Sequence, residues 1–273
     1  MWDALQFEFI RNALVAGLLA SVICGVIGTL VVVNRVVFLA GGVAHAAYGG
    51  IGLAFFFGWP FLAGTLGFAL AAAVIMAAVT LRNRERSDTV VGVLWAVGMA
   101  TGVILTDLTP GYNVDLMSYL FGSILAVPTG DLWFMGGVCA GVVAAVILAY
   151  NAFLATSFDP EFARLRGLPA ALFHFALLAM IALSVVVVIQ VVGLILVIAM
   201  LTIPPFIAER FSGSLKTMMA LAGVLGTVFT VVGLWLAYRW NLTSGAAIIL
   251  VNGAAFFLVL GADRIFHFRK AEN

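Results

Sequence analysis

Eight stretches of this chain stay apolar for about the length that a helix needs to cross a bilayer, and that pattern constrains the fold more than any other feature. A spanning helix needs roughly 20 such residues, and the runs fall at 12–33, 37–58, 61–81, 89–106, 131–150, 170–208, 217–238 and 243–262. The stretch 170–208, which follows Pro169, is too long for one crossing. It predicts two helices that turn near Gln190–Gly193, which brings the count to nine, or to eight if the short piece 194–208 does not cross. Residues 116–126 are apolar but too short to span. They predict a re-entrant or interfacial helix ending at Pro128-Thr129-Gly130, a conformation tolerated at membrane depth where protein shields it.

Composition agrees with lipid as the solvent. Of 273 residues, 64% are hydrophobic and 9% charged, against about 25% charged in ordinary soluble domains. The expected fold is therefore an all-α integral membrane bundle of 8–9 transmembrane helices, a single transmembrane domain over 1–273. A net charge of +1 offers no basic footprint for nucleic acid. Cys24 and Cys139 lie inside apolar runs and read as small buried hydrophobes. The first run lacks an A-x-A site and leads directly to Asn34-Arg35, so no cleaved signal is expected.

Basic residues predict the orientation, because cytoplasmic loops collect Lys and Arg. One face gathers Arg35, Arg82, Arg84, Arg86, Arg164, Arg166, Arg210, Lys216, Arg264, Arg269 and Lys270, while the other keeps only Arg11 and Arg239. The N-terminus is expected outside and the C-terminus in the cytoplasm. The outer face holds Asp3, Glu8, Asp107 and Asp115, a weakly acidic mouth that suits a cation, although each is also an ordinary residue of a solvated loop.

In the second run, Gly41, His45, Gly49 and Gly52 fall on one helical stripe at spacings of four, four and three. Small residues let helices approach closely in lipid, so the glycines predict packing or a lined pathway. His45 lies about 12 Å along the helix from Val37, well inside the membrane. Ionisable groups there face a bundle interior or a watery cavity, and neutral imidazole is a common metal ligand. Two readings stay open for His45: a ligand on a metal pathway, or a hydrogen bond to a neighbouring helix. His174, one turn into its span, reads as an interfacial side chain, and His267 as a membrane-surface anchor.

The longest polar segment on the basic face is 151–169. Ser157 or Asp159 can cap a short helix with Pro160 at its first position, and Gly167 ends it before Pro169. Phe162 and Leu165 beside Glu161, Arg164 and Arg166 suit either docking to a cytoplasmic partner or a helix lying on lipid. No G-x-x-x-x-G-K-[ST] loop occurs, so the chain does not hydrolyse ATP itself.

Five elements in order resemble the permease subunits of ABC importers for zinc, manganese and iron, from about residue 8 to 262. They are Gly28-Thr-Leu-Val-Val-Val-Asn-Arg35, Ala44-His45-Ala46-Ala47, Tyr119-Leu-Phe-Gly-Ser-Ile-Leu125, Asp159-Pro-Glu-Phe-Ala-Arg-Leu-Arg-Gly167 and the stretch from Val192 through Pro204-Pro205 to Ala208. The resemblance implies a multi-pass permease homodimer in the cell membrane, two cytoplasmic ATPase subunits that hold the ATP, and an extracytoplasmic metal-binding protein. It implies alternating access, with a divalent metal ion as cargo and no tightly bound cofactor. Asp159, Pro160, Glu161, Phe162, Ala163, Arg164, Arg166 and Gly167 would form the coupling helix seated on the ATPase.

One departure stands out. The family pattern usually has an aspartate four residues before the histidine and a proline four residues after it, where this chain has Gly41 and Gly49. That leaves an alternative, an importer subunit for a metal chelate or corrinoid, which shares the helix plan and needs no ion ligand. An integral membrane enzyme is a further alternative, but three scattered histidines do not form the cluster such enzymes use. The choice among metals is not written in these residues, since imidazole and carboxylate sites overlap widely in the ions they bind.

Overall fold

The computed structural model describes residues 6–82, 87–110, 122 and 124–271, with side chains as far as Ala262 and Ser87 excepted. Nine of its helices are long and apolar enough to cross a membrane. They are α1 (Glu8–Val33), α2 (Val37–Phe57), α3 (Phe61–Arg82), α4 (Ser87–Asp107), α5 (Thr129–Leu148), α8 (Ala170–Val192), α9 (Leu194–Phe211), α10 (Leu215–Trp240) and α11 (Ser244–Ala271). Two short helices, α6 (Tyr150–Phe158) and α7 (Pro160–Leu165), separate α5 from α8.

Helices α1, α2 and α8 form the inside of the bundle, with 67–72% of their most apolar windows buried. In α4, α5 and α11 only 22% is buried, and large apolar side chains such as Val97, Ile104, Trp133 and Leu250 point outward. Water would not tolerate that surface. It is the surface of a protein dissolved in lipid.

The long run 170–208 divides at a single residue. Gly193, at φ +83°, joins α8 to α9, a left-handed backbone that glycine adopts without steric cost. The break is buried, and Gly122 lies against it: a Cβ there would strike the Val192 carbonyl group. Most of the expected helix 116–126 lies outside the described residues. Its described end is a 3₁₀ turn, Ile124–Ala126, whose buried Ile124 packs near Gly17 of α1.

Helix α9 carries Pro204 and Pro205 in its interior. Pro205 has no N–H for the Leu201 carbonyl four residues back, and Gly28 of α1 packs directly over that carbonyl. The glycine therefore lets a second helix cover a backbone group that the proline has stripped of its helical partner.

Two sequence expectations resolve in detail here. Cys24 and Cys139 are both free and buried. His174, half-buried one turn into α8, also makes a contact between helices: its Nε2 shares a 2.8 Å hydrogen bond with Thr80 Oγ1, linking α8 to α3. Thr80 is buried, and its hydroxyl donates to the Met76 carbonyl at 2.8 Å, which leaves its oxygen to accept from the imidazole. His267 lies beyond the described side chains.

Candidate transport site and coupling surface

His45 projects from the first half of α2 towards α4. Its Nδ1–H donates to the Gly41 carbonyl at 2.8 Å, the carbonyl one turn back in the same helix. That bond holds the proton on Nδ1 and leaves the lone pair on Nε2, which meets no hydrogen-bond partner among the described residues. A metal-binding imidazole commonly has this arrangement, with one nitrogen tied to a carbonyl and the other free to ligate. The imidazole lies against the indole of Trp95 on α4, ring centres 3.9 Å apart and tilted by 30°. Trp95 in turn is held by its Nε1–H, which points to Met99 Sδ at 3.3 Å.

The four residues of the α2 stripe meet different surroundings. A Cβ on Gly41 would touch nothing nearer than Ile198 Cδ1, at 4.0 Å. A Cβ on Gly49 would lie 2.9 Å from the Gly98 carbonyl oxygen and 2.8 Å from the Phe68 ring. On Gly52 it would lie 2.5 Å from the Gly102 carbonyl oxygen. Gly49 and Gly52 thus seat α4 backbone to backbone, whereas Gly41, itself buried, meets a neighbour only at ordinary contact distance and has room for a methyl. The proline usual in the related pattern at position 49 has no room while α4 sits this close. Among the described residues no three of His, Cys, Asp and Glu converge as a metal cage.

Of the outer acids, Glu8 receives a hydrogen bond from Thr129 Oγ1 at 3.2 Å and Asp107 is exposed at the far end of α4. Asp107 stands about 18 Å along that helix from Trp95, so it is not beside His45. Asp3 and Asp115 lie outside the described residues.

At the basic end of the bundle, α7 is built as its residues dictate. Asp159, rather than Ser157, is the cap: its Oδ1 accepts from the Phe162 N–H at 2.8 Å, and Pro160 takes the first helical position. Gly167, at φ +80°, turns the chain out of the helix. Ala163 is fully buried and anchors α7 to the bundle, while Phe162 and Leu165 remain exposed, 48% and 87%. Glu161, Arg164 and Arg166 are exposed beside them. The Arg166 guanidinium lies 5.0 Å from the centre of the Phe162 ring. Ser157 instead accepts from Asn34 Nδ2 at 2.9 Å, and the same amide caps α1 through the Leu30 carbonyl at 2.8 Å. One side chain thus ties the end of α1 to the segment leading into α7.

Sequence reasoning singled out His45 but missed Trp95 and Asn34. Trp95 sits in an unbroken apolar run where an aromatic carries no signal of its own. Asn34 was visible as a polar residue at a helix end, yet nothing local indicates a partner 123 positions away.

Nine candidate crossings among the described residues, an imidazole in the middle of one of them and a short capped helix presenting apolar side chains at the basic end define a polytopic helical membrane protein of the permease kind. The chain belongs to the ABC 3 transport family, whose pattern it matches over residues 6–262. It is 51% identical over 264 residues to an uncharacterized membrane protein of Synechocystis, with 97% of this chain and 94% of the relative covered. It is 33% identical over 254 residues to the manganese transport system membrane protein MntC of Listeria monocytogenes, covering 93% and 90%. The solved structure of PsaBC from Streptococcus pneumoniae in complex with Fab superposes with a TM-score of 0.84 at 32% identity, covering 94% of this chain and 92% of that one. The resemblance read from five sequence elements is thereby established as family membership.

Proposed function

We propose that this protein is the membrane-spanning subunit of an ABC importer that moves a divalent metal ion by alternating access. It works as a homodimeric permease with cytoplasmic ATPase subunits and an extracytoplasmic metal-binding protein, and it is not itself an enzyme. Manganese leads zinc and iron as cargo, because the Listeria monocytogenes relative MntC is a manganese transport system membrane protein. The chain acts as one transmembrane domain, N-terminus outside and C-terminus in the cytoplasm, which places α7 on the ATPase side.

The observation that carries the reading is His45. Its Nδ1–H is committed to the Gly41 carbonyl, and its Nε2 lone pair, inside a membrane span, is left without a hydrogen-bond partner among the described residues. A histidine that only bridged helices would bond a neighbour; this one stacks on Trp95 and bonds its own helix. With a single imidazole per chain, the ion binds weakly and briefly, as passage requires. The closing ligands come from hydration water or from the second protomer.

Uptake of Mn(II) by proteoliposomes holding permease, ATPase and binding protein tests this. His45→Gln is expected to lower uptake by roughly tenfold or more, the scale on which disturbing a metal site acts, without lowering thermal stability. Full uptake by the glutamine variant removes histidine ligation from the mechanism. For the coupling role, Phe162→Ala is expected to weaken ATPase co-purification by about 2 kcal/mol, as for a buried aromatic anchor at an interface. Unchanged co-purification and unchanged uptake in that variant would place the ATPase contact elsewhere.

A further inference from the structure

A groove on the α1, α5 and α10 side of the bundle has a chemistry that the His45 site does not use. It encloses about 650 Å³. Helix α1 floors it with Val22 and Val26, α5 walls it with Val143 and Val146, and α10 closes it with Met219 and Val224. The groove exists because α1 and α10 touch through glycine, the backbone of Gly25 lying against that of Gly223, while α5 stands off from α10. Its rims are open to the lipid, with Ile147 67% and Val224 59% exposed.

One end differs. There Lys216, in the first turn of α10, holds its Nζ 4.6 Å from the centre of the Tyr150 ring. Among the described residues no acid pairs with it, and none lines the groove. From Lys216 to Val228 the groove follows twelve residues of helix, about 18 Å. One leaflet of hydrocarbon is about 15 Å thick, half of a 30 Å core. The slot thus runs the depth of one leaflet and carries its single positive charge at headgroup level. Basic pockets between membrane helices bind anionic headgroups in this way, and an apolar slot facing hydrocarbon fills with acyl chain rather than water.

We propose that this groove binds a phospholipid with an anionic headgroup, one acyl chain lying between α5 and α10 and the phosphate resting on Lys216. The charge selects the headgroup; the slot accepts the chain whatever the headgroup is.

Native mass spectrometry of the full-length permease with its ATPase subunit tests both halves, using phosphatidylglycerol and phosphatidylcholine of identical acyl chains. The wild type is expected to retain phosphatidylglycerol preferentially. Lys216→Gln should lower that retention by about fivefold, the value of one lysine near a lipid surface, and lower that of phosphatidylcholine less, because its quaternary ammonium offsets the phosphate charge. Ala220→Trp, an exposed position on the groove wall, should lower retention of both lipids. Equal retention of phosphatidylglycerol by the wild type and Lys216→Gln overturns the proposal. So does disulfide formation between two copies carrying Val224→Cys, which would make the groove a contact between protomers.

Discussion

Along one face of α2 the same residue serves opposite ends. Around Gly41 the missing side chain leaves space, since a Cβ would find its nearest neighbour at 4.0 Å. At Gly49 and Gly52 the missing side chains are replaced by another helix, whose Gly98 and Gly102 carbonyl groups lie where a Cβ would go. A glycine in a membrane helix is therefore neither a packing residue nor a pathway residue by itself. What stands opposite decides. The seam also builds the site: Trp95, Gly98 and Gly102 fall on one face of α4 at spacings of three and four, in step with His45, Gly49 and Gly52 on α2. Closing the lower glycines onto each other sets the indole on the imidazole one turn away.

If the seam is as rigid as its contacts imply, the largest effect belongs to Gly52→Ala. The new methyl would lie 2.5 Å from the Gly102 carbonyl oxygen and 2.7 Å from its Cα, both backbone atoms that no rotamer change can move. Overpacking a well-filled core costs about 1–3 kcal/mol and sometimes more. The upper end is expected here, read as a lowered midpoint of thermal unfolding in detergent together with altered tryptophan fluorescence as α4 shifts. A variant as stable as the wild type would show that α2 and α4 have slack, and the contrast between positions 41 and 52 would collapse.

A second substitution sharpens the open side. Gly41→Asp places a carboxylate one turn before His45, supplying the usual pair on one helical face, at a position where the added Cβ meets only ordinary contact. The protein is expected to fold, and Mn(II) binding by the purified permease to tighten by roughly tenfold, within the 10–100-fold range over which neighbouring groups tune a metal site. Isothermal titration with wild type and variant measures it. Unfolding of the variant would mean that the space at Gly41 is dry, because an unpaired carboxylate in an apolar pocket is strongly destabilising.

The sequence disclosed the fold more fully than the site, for a physical reason. Crossing a bilayer demands about 20 consecutive apolar residues with every backbone bond made internally, so each span is written locally. The break of 170–208 at Gly193 was legible too, because length alone forbade one helix. The capped α7 was equally local, since its cap, its proline and its terminating glycine lie within nine positions, and only the choice of Asp159 over Ser157 needed the fold. The site was legible only as far as His45. Its Trp95 neighbour, the Asn34–Ser157 tie and the split among the glycines of α2 all depend on which helix lies opposite. Spacing within one helix, identical for a seam and a pathway, does not carry that information.

The smallest effect provides the cleanest test, because it should have the opposite sign to the largest. Gly41→Ala and Gly52→Ala make the same chemical change in the same helix, eleven residues apart. Alanine in a helix interior is favoured over glycine by about 0.5–1 kcal/mol, since glycine loses more backbone freedom on folding. At position 52 that gain is overwhelmed by the clash with Gly102. At position 41 nothing opposes it, for a methyl 4.0 Å from Ile198 Cδ1 is in ordinary contact. Gly41→Ala is therefore expected to raise the unfolding midpoint by about 1–3 °C and to leave Mn(II) uptake near the wild-type rate, because the Gly41 carbonyl that holds His45 belongs to the backbone and survives the change. A midpoint lowered as far as that of Gly52→Ala would make position 41 a packing contact. The free lone pair of His45 would then face protein rather than a passage.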